Sequence, residues 1–265
     1  MSGAGAGAVA NGPVRVESLD DGACWRVVIG GSKGNVLDGA VMDALACVFR
    51  DAADAPGLKA ICLEGAGAHF SFGASVQEHL PGQVEAMLRR FHDLLLALLD
   101  SSVVVLAAVR GQCLGGALEI VTICHRVFAS RDARLGQPEI ALGVFAPSAS
   151  VALAERLGRP NAEDLCLSGR LVDADEALRL GLVDEIVDGD PADAALGWAR
   201  THLLPRSASS LRLAVRAVRA GLRARLAAEL PAVERLYLDE LMGTADAIEG
   251  LRAFVEKRRP TWRNA

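Results

Sequence analysis

The chain has 265 residues, 51% of them hydrophobic and 23% charged, with a formal net charge of −5 and a pI near 5.6. That length suits one large α/β domain with a helical appendage, and the acidic balance disfavours nucleic-acid and anionic-membrane partners. Mean hydropathy is +0.28, but the longest apolar runs, Leu94–Leu99 and Val103–Val109, fall far short of the roughly 20 residues of a membrane span.

The first twelve residues, Met1-Ser-Gly-Ala-Gly-Ala-Gly-Ala-Val-Ala-Asn-Gly12, lack the basic start of a signal peptide and read as a disordered tail. Val14–Val16 and Trp25–Ile29 then form a predicted hairpin around Asp20-Asp21-Gly22. Val41, Leu45, Val48 and Phe49 have helical spacing and precede a strand at Lys59–Leu63. Glu64–Gly73 reads as loop. A second amphipathic helix carries Val84, Met87, Leu88, Phe91, Leu95 and Leu98.

Next come the strand Val103–Val109, a helix beginning at the glycines near 115, a short strand at Val127–Ala129 and a loop around Glu139. This βαβα alternation predicts a mostly parallel sheet covered by helices. Beyond Ser148 the pattern is helical, with Ala149–Leu157, Ala162–Leu167 and Ala174–Leu180, a strand over Leu182–Val187, and helices to Arg258. Breaks are expected at Ser207, Pro231 and Gly243. The division is a tail over 1–12, a core over 13–200 and a helical region over 201–265, with no linker separating independent domains.

Arg212, Arg216, Arg219, Arg223 and Arg225 recur every two to four residues and read as one solvated helix face. Six cysteines include no C-x-x-C pair; with apolar neighbours they read as buried free thiols, which suits a cytoplasmic location. The five histidines have no partners at ligand spacing, so no metal is expected. Tyr237 and Trp262 read as packing residues.

The chemistry gathers at two glutamates. Glu119 ends Gly111-Gln-Cys-Leu-Gly115-Gly116-Ala-Leu-Glu119, directly after the Val103–Val109 strand, and Glu139 sits in Leu135-Gly-Gln-Pro-Glu139-Ile. A strand that breaks into glycines and starts a helix leaves backbone N–H groups free to stabilise an anion. Carboxylates beside such a site can move protons around a carbonyl compound.

Further segments keep a recognisable order: His69-Phe-Ser-Phe-Gly73-Ala74-Ser75, Leu167-Ser-Gly169-Arg, Glu176 to Asp184, and Glu249 to Pro260. Together with the glutamate motifs they resemble the crotonase (enoyl-CoA hydratase/isomerase) superfamily from about Val14 to Trp262. The resemblance implies an α/β fold of stacked ββα turns, a C-terminal helical region used in trimerisation, and an acyl-CoA thioester substrate. It implies no separate cofactor, because coenzyme A belongs to the substrate, and a homotrimer or dimer of trimers.

Carried over residue by residue, the oxyanion-binding N–H groups fall on Ala74 and Gly116, and the hydratase glutamates on Glu119 and Glu139. CoA contacts fall on Lys33, Phe72, Gly73 and Lys257. Three departures stand out: Ser75 where an aspartate is common, Ala117 for the third glycine, and Val144-Phe145-Ala146-Pro147-Ser148-Ala149-Ser150 for a glycine-rich stretch. Phe145 and Pro147 beside the acyl pocket imply an unusual acyl group; with Phe70-Ser-Phe-Gly-Ala-Ser75 and Glu78-His79-Leu80-Pro81-Gly82 they resemble family members that add water to cyclohexa-1,5-diene-1-carbonyl-CoA, which is the expected substrate. An isomerase or C–C hydrolase of the same superfamily, or a non-catalytic CoA- or RNA-binding relative, are the alternatives.

Overall fold

Six consecutive apolar residues make β5 (Val104–Val109) a strand buried on both faces, as the interior of a parallel sheet requires. The computed structural model describes residues 8, 9 and 12–265. Chain order runs β1 (Ala8–Val9), β2 (Val14–Leu19), β3 (Cys24–Ile29), α1 (Gly39–Ala53), β4 (Ala60–Gly65), α2 (Val84–Asp100) and β5. It continues with β6 (Gln112–Leu114), α3 (Gly116–Thr122), β7 (Arg126–Ser130), β8 (Arg134–Gly136), α4 (Pro147–Leu157) and α5 (Arg159–Ser168). β9 (Leu171–Asp173), α6 (Ala174–Leu180), β10 (Glu185–Val187), α7 (Pro191–His202), α8 (Ala208–Arg235) and α9 (Ala245–Val255) complete it.

The main sheet has the order β1-β2-β3-β4-β5-β7-β10. β1 to β3 pair antiparallel, and the ladders from β3 to β10 are parallel. Most of the tail expected over 1–12 lies outside the described residues, although Ala8–Val9 pairs with β2. One face of the sheet packs on the large core with α1, α2, α3 and α4. The other face, through Cys62, Leu106 and Phe128, packs on Ala192, Ala195 and Ala199 of α7.

A second sheet, β6-β8-β9, escaped the reading of the sequence. Its strands are only three residues long, so they carry no period-two signal. β6 pairs parallel with β8, and Ser71 extends the ladder through a parallel bridge to Cys113. Three successive turns therefore repeat one plan: a strand in the main sheet, a short stretch in the second sheet, then a helical element. β4, Ser71 and α2 form the first turn, and β5, β6 and α3 the second. β7, β8 and the 3-10 turn Pro138–Leu142 form the third. This is the stacked ββα arrangement.

Two expectations for the C-terminal region need correction. Pro231 does not break the chain; it lies inside the 28-residue α8. Proline removes one N–H donor, and its solvent-facing position leaves the orphaned carbonyl to water. Nor do the arginines form one solvated face. Arg212 donates to the carbonyls of Ala52 (2.8 Å), Ala53 (3.2 Å), Ala55 and Ser101 (3.3 Å), closing the C-terminal end of α1. Arg223 pairs with Asp100 and Arg225 with Glu155, while Arg216 stays exposed.

Of the cysteines, Cys24, Cys62, Cys113 and Cys124 are buried free thiols, Cys166 is half-buried and Cys47 is exposed. No helix among the described residues is long and apolar enough to cross a membrane.

Candidate active site

The three stacked turns end their short strands side by side, and those ends build one cleft. They supply Gly73 and Ala74, then Gly115, Gly116 and Glu119, then Pro138 and Glu139. Hydrogen bonds tie the ends together: Leu114 N to Ser71 O at 3.1 Å and Gly115 N to Gly136 O at 2.9 Å.

Two glycines are dictated by this closeness. Gly73 has φ +93°, and a Cβ there would stand 2.5 Å from Leu114 O. Gly115 has φ +54°, and a Cβ there would collide with Oε1 of Glu139. Only glycine meets both demands at either position.

The backbone donors expected at Ala74 and Gly116 are neighbours, since a Cβ built on Gly116 would lie 3.4 Å from Ala74 N. The bridge at Leu37 uses Gly73 O (2.9 Å) and Ser75 N (3.1 Å), so Ala74 N points away from that strand. Among the described residues neither the Ala74 nor the Gly116 N–H has an acceptor. Two unspent donors at a helix start suit a carbonyl oxygen that gains charge during reaction.

Glu119 lies on α3, all seven residues of which are buried. The first turn of α4 holds its carboxylate: Ser148 Oγ and Ala149 N, the latter at 2.8 Å, both donate to Oε1. Burial pushes Glu119 above the usual carboxylate range, while Ser148, Ala149 and then His92 act to lower it. His92 is itself buried, with Nδ1 donating to Glu234 Oε2 at 2.8 Å. Its Nε2 has no partner among the described residues.

Glu139 has a different setting. Burial pushes it up to about 8, and the nearby Glu119 adds to the rise. Its carboxyl meets the carboxamide of Gln137, whose nitrogen donates to Oε2 at 3.0 Å. The pair is thus divided by its surroundings: two donors favour the charged form of Glu119, while Glu139 is raised to about 8 with little but the Gln137 amide beside it, a difference that suits acid–base chemistry.

The apolar lining of the cleft includes Phe91, Leu142 and Leu251 beside Phe145 and Pro147, the residues expected at the acyl pocket. His79 also faces it; burial lowers that imidazole and keeps it neutral, with Nδ1 donating to Ser75 O at 2.8 Å. Of the residues expected to meet CoA, Phe72 is exposed at the cleft mouth and Gly73 lines it. Phe72 N donates to Gly34 O at 2.8 Å, which brings exposed Lys33 alongside. Lys257 is exposed beyond the end of α9, and no described hydrogen bond joins its side chain to the cleft.

Sequence reasoning missed Ser148, Ala149, Gln137 and Asn35. Asn35 Nδ2 donates to Ala66, His69 and Phe70 carbonyls at 2.8–3.2 Å and pins the loop before Gly73. The tell-tale for Ser148 was its place after Pro147 at a helix start. Among the described residues no three His, Cys, Asp or Glu side chains cluster as metal ligands.

Residues 31–265 match the enoyl-CoA hydratase/isomerase family. The chain belongs to that family. It is 48% identical over 255 residues to a cyclohexa-1,5-dienecarbonyl-CoA hydratase of Thauera aromatica, covering 96% of this chain and 98% of the relative. A mevalonyl-coenzyme A hydratase of Aspergillus fumigatus is 33% identical, with 78% of this chain and 79% of that one covered. Among solved structures, an enoyl-CoA hydratase of Mycobacterium avium subsp. paratuberculosis superposes with a TM-score of 0.82 at 26% identity, covering 94% and 98% of the two chains. In this member of the enoyl-CoA hydratase/isomerase family, the two glutamates and the two free N–H groups lie together at the ends of the stacked turns.

Proposed function

We propose that this protein is a hydratase, a carbon–oxygen lyase that adds water to cyclohexa-1,5-diene-1-carbonyl-CoA. The observation that carries this reading is the divided pair of buried glutamates beside two unspent N–H donors. The extensive identity to the Thauera aromatica enzyme supports the choice of acyl group.

In this reading the thioester oxygen lies against Ala74 and Gly116 N–H. Glu119, held as a carboxylate by Ser148 and Ala149, takes a proton from water while the hydroxyl bonds to the β-carbon. The electron pair of the double bond moves into the thioester carbonyl, giving an enolate stabilised by the two donors. In a cyclic diene that enolate extends over the second double bond. Glu139 delivers its proton to carbon, at the α-position or at the remote end of the conjugated system, and one water has been added. A single-base isomerase would need only one carboxyl group, so retention of both favours hydration.

CoA would lie along Phe72 and Gly73, with Lys33 and Lys257 meeting its phosphates and Phe145 and Pro147 bordering the acyl ring. The exposed Phe254 and Val255 of α9 support a homotrimer or dimer of trimers, in a cytoplasmic enzyme of aromatic-acid breakdown acting on a CoA thioester. The decisive experiment offers the purified protein cyclohexa-1,5-diene-1-carbonyl-CoA and crotonyl-CoA and follows the gain of one water by mass. The expected result is rapid hydration of the cyclic diene and slower hydration of crotonyl-CoA. No mass gain with either thioester would overturn the reading.

A further inference from the structure

Tyr237 was read from the sequence as a packing residue, and its ring does pack, but its hydroxyl does something unusual. The side chain is 1% exposed, and among the described residues its Oη has no hydrogen-bond partner. A buried hydroxyl without a partner is worse than the phenylalanine that would fill the same space. Its backbone is unusual too, lying in the π-helical turn Leu236–Glu240 at the end of α8, a conformation that is rare and concentrated at functional sites.

The ring stands edge-on to Phe145, with centroids 5.2 Å apart and planes at 71°. Phe145 lines the cleft with Glu119 and Glu139. Val144 N donates to Glu139 O at 3.2 Å, so the turn carrying Glu139 folds back onto the segment that Tyr237 touches.

We propose that the Tyr237 hydroxyl is a positioning donor for Glu139: unpaired while Glu139 is protonated, it donates to the carboxylate that Glu139 becomes on giving its proton to carbon. No covalent step involves the tyrosine; its O–H proton stays on oxygen, and only a hydrogen bond forms. Such a donor, buried near the carboxyl group before the charge appears and needing only a small turn to meet it, favours the transition state over the resting state.

The surroundings fit. Burial foremost, then the Glu139 and Glu119 carboxyl groups, oppose ionisation of the phenol, which keeps it a donor. The other titratable groups facing the pair are Cys166 of α5, whose thiol burial and the two glutamates push up to about 12, and His92 of α2, paired with Glu234 of α8. His79 faces the same cleft. None of these is hydrogen-bonded to Glu139 among the described residues.

The inference rests on the hydratase reading, and its test separates the two. Tyr237→Phe, Glu139→Gln and the double variant would be compared with wild type on cyclohexa-1,5-diene-1-carbonyl-CoA, measuring kcat, KM and the alkaline limb of the pH profile. Tyr237→Phe removes only the orphaned oxygen, so its melting midpoint should equal or exceed that of wild type. Its kcat should fall by about tenfold or more, short of the ~10²–10³ lost with a full oxyanion donor, while KM changes less than about twofold. Without the donor the ionised Glu139 is less stable, so the alkaline limb should move to higher pH. In the Glu139→Gln background, Tyr237→Phe should have no further effect.

Wild-type kcat with an unmoved limb, when Glu139→Gln is inactive, would overturn the role of Tyr237. So would a loss that persists unchanged in the Glu139→Gln background. Full activity of Glu139→Gln itself would instead overturn the hydratase reading.

Discussion

Glu119 and Glu139 end neighbouring turns of the same stack, yet the two regions treat a carboxyl group in opposite ways. α3 delivers Glu119 to the first turn of α4, where a hydroxyl and a backbone N–H both meet one oxygen. Hydrogen bonds to the charged form and the positive end of a helix favour ionisation. The 3-10 turn Pro138–Leu142 gives Glu139 the Gln137 amide, its own backbone N–H and the field of another carboxylate, and buries it deeply. In the proposed mechanism, identical side chains become base and acid through their neighbours alone, as general acid–base chemistry at one pH requires.

The strongest way to break this comparison is to neutralise each carboxyl in turn. Glu119→Gln and Glu139→Gln should each reduce kcat by about 10²–10⁴, the usual worth of a positioned acid or base, with substrate affinity retained. Steady-state kinetics with cyclohexa-1,5-diene-1-carbonyl-CoA would check this. Hydration within about tenfold of wild type for either variant would show that the two residues do not work as a couple.

Gly115→Ala attacks only the second region. The added methyl collides with the Glu139 carboxyl and imposes a strained positive φ costing about 1–3 kcal/mol. It should therefore lower both stability and kcat. Chemical denaturation and turnover measured on one preparation would show both losses, and wild-type kcat would mean that Glu139 need not sit against this turn.

Ser148→Ala attacks the first region. Glu119 loses one of its two donors to Oε1, so its carboxylate becomes harder to form. The expected loss in kcat at neutral pH is about tenfold, since a hydrogen bond to a charged group contributes about 1.5–3 kcal/mol. With Glu119 as the proposed base, activity falls as pH drops through its pKa, and the acidic limb should move to higher pH. A pH profile superimposable on wild type would remove Ser148 from the mechanism.

The gentlest probe is stability against pH. Glu139 is raised in the folded state from 4.5 to about 8, so its contribution is complete below the unfolded value and is lost as pH rises through the folded one. Wild-type stability should decline across that window, and Glu139→Gln should decline less. Melting midpoints at several pH values between 5 and 9 would reveal the difference, and parallel curves would mean that Glu139 is not held protonated.

Much of this was legible in the chain. The run Val103–Val109 and the glycines after it located β5 and the start of α3, because a buried parallel strand and a glycine-broken helix start leave strong local marks. The glutamate motifs pointed to Glu119 and Glu139, and the family resemblance placed the donors on Ala74 and Gly116. Other features were silent. β6, β8 and β9 are too short to show a period. Arg212 looked like one member of a charged stripe, yet it closes the end of α1 from 160 residues away. Pro231 read as a helix end because local propensity cannot see that the exposed side of a long helix tolerates a missing donor.

The sequence by itself determined the order of the elements and which residues could carry the chemistry, since these depend on local backbone propensity and side-chain type. Tertiary structure decided the rest. The contact of Ser148 with Glu119, the crowding of Glu139 by another carboxylate and the stranded hydroxyl of Tyr237 join residues 20 to 98 positions apart. Whether a carboxyl group is acid or base follows from desolvation and neighbouring dipoles, and those exist only once distant segments have packed around it.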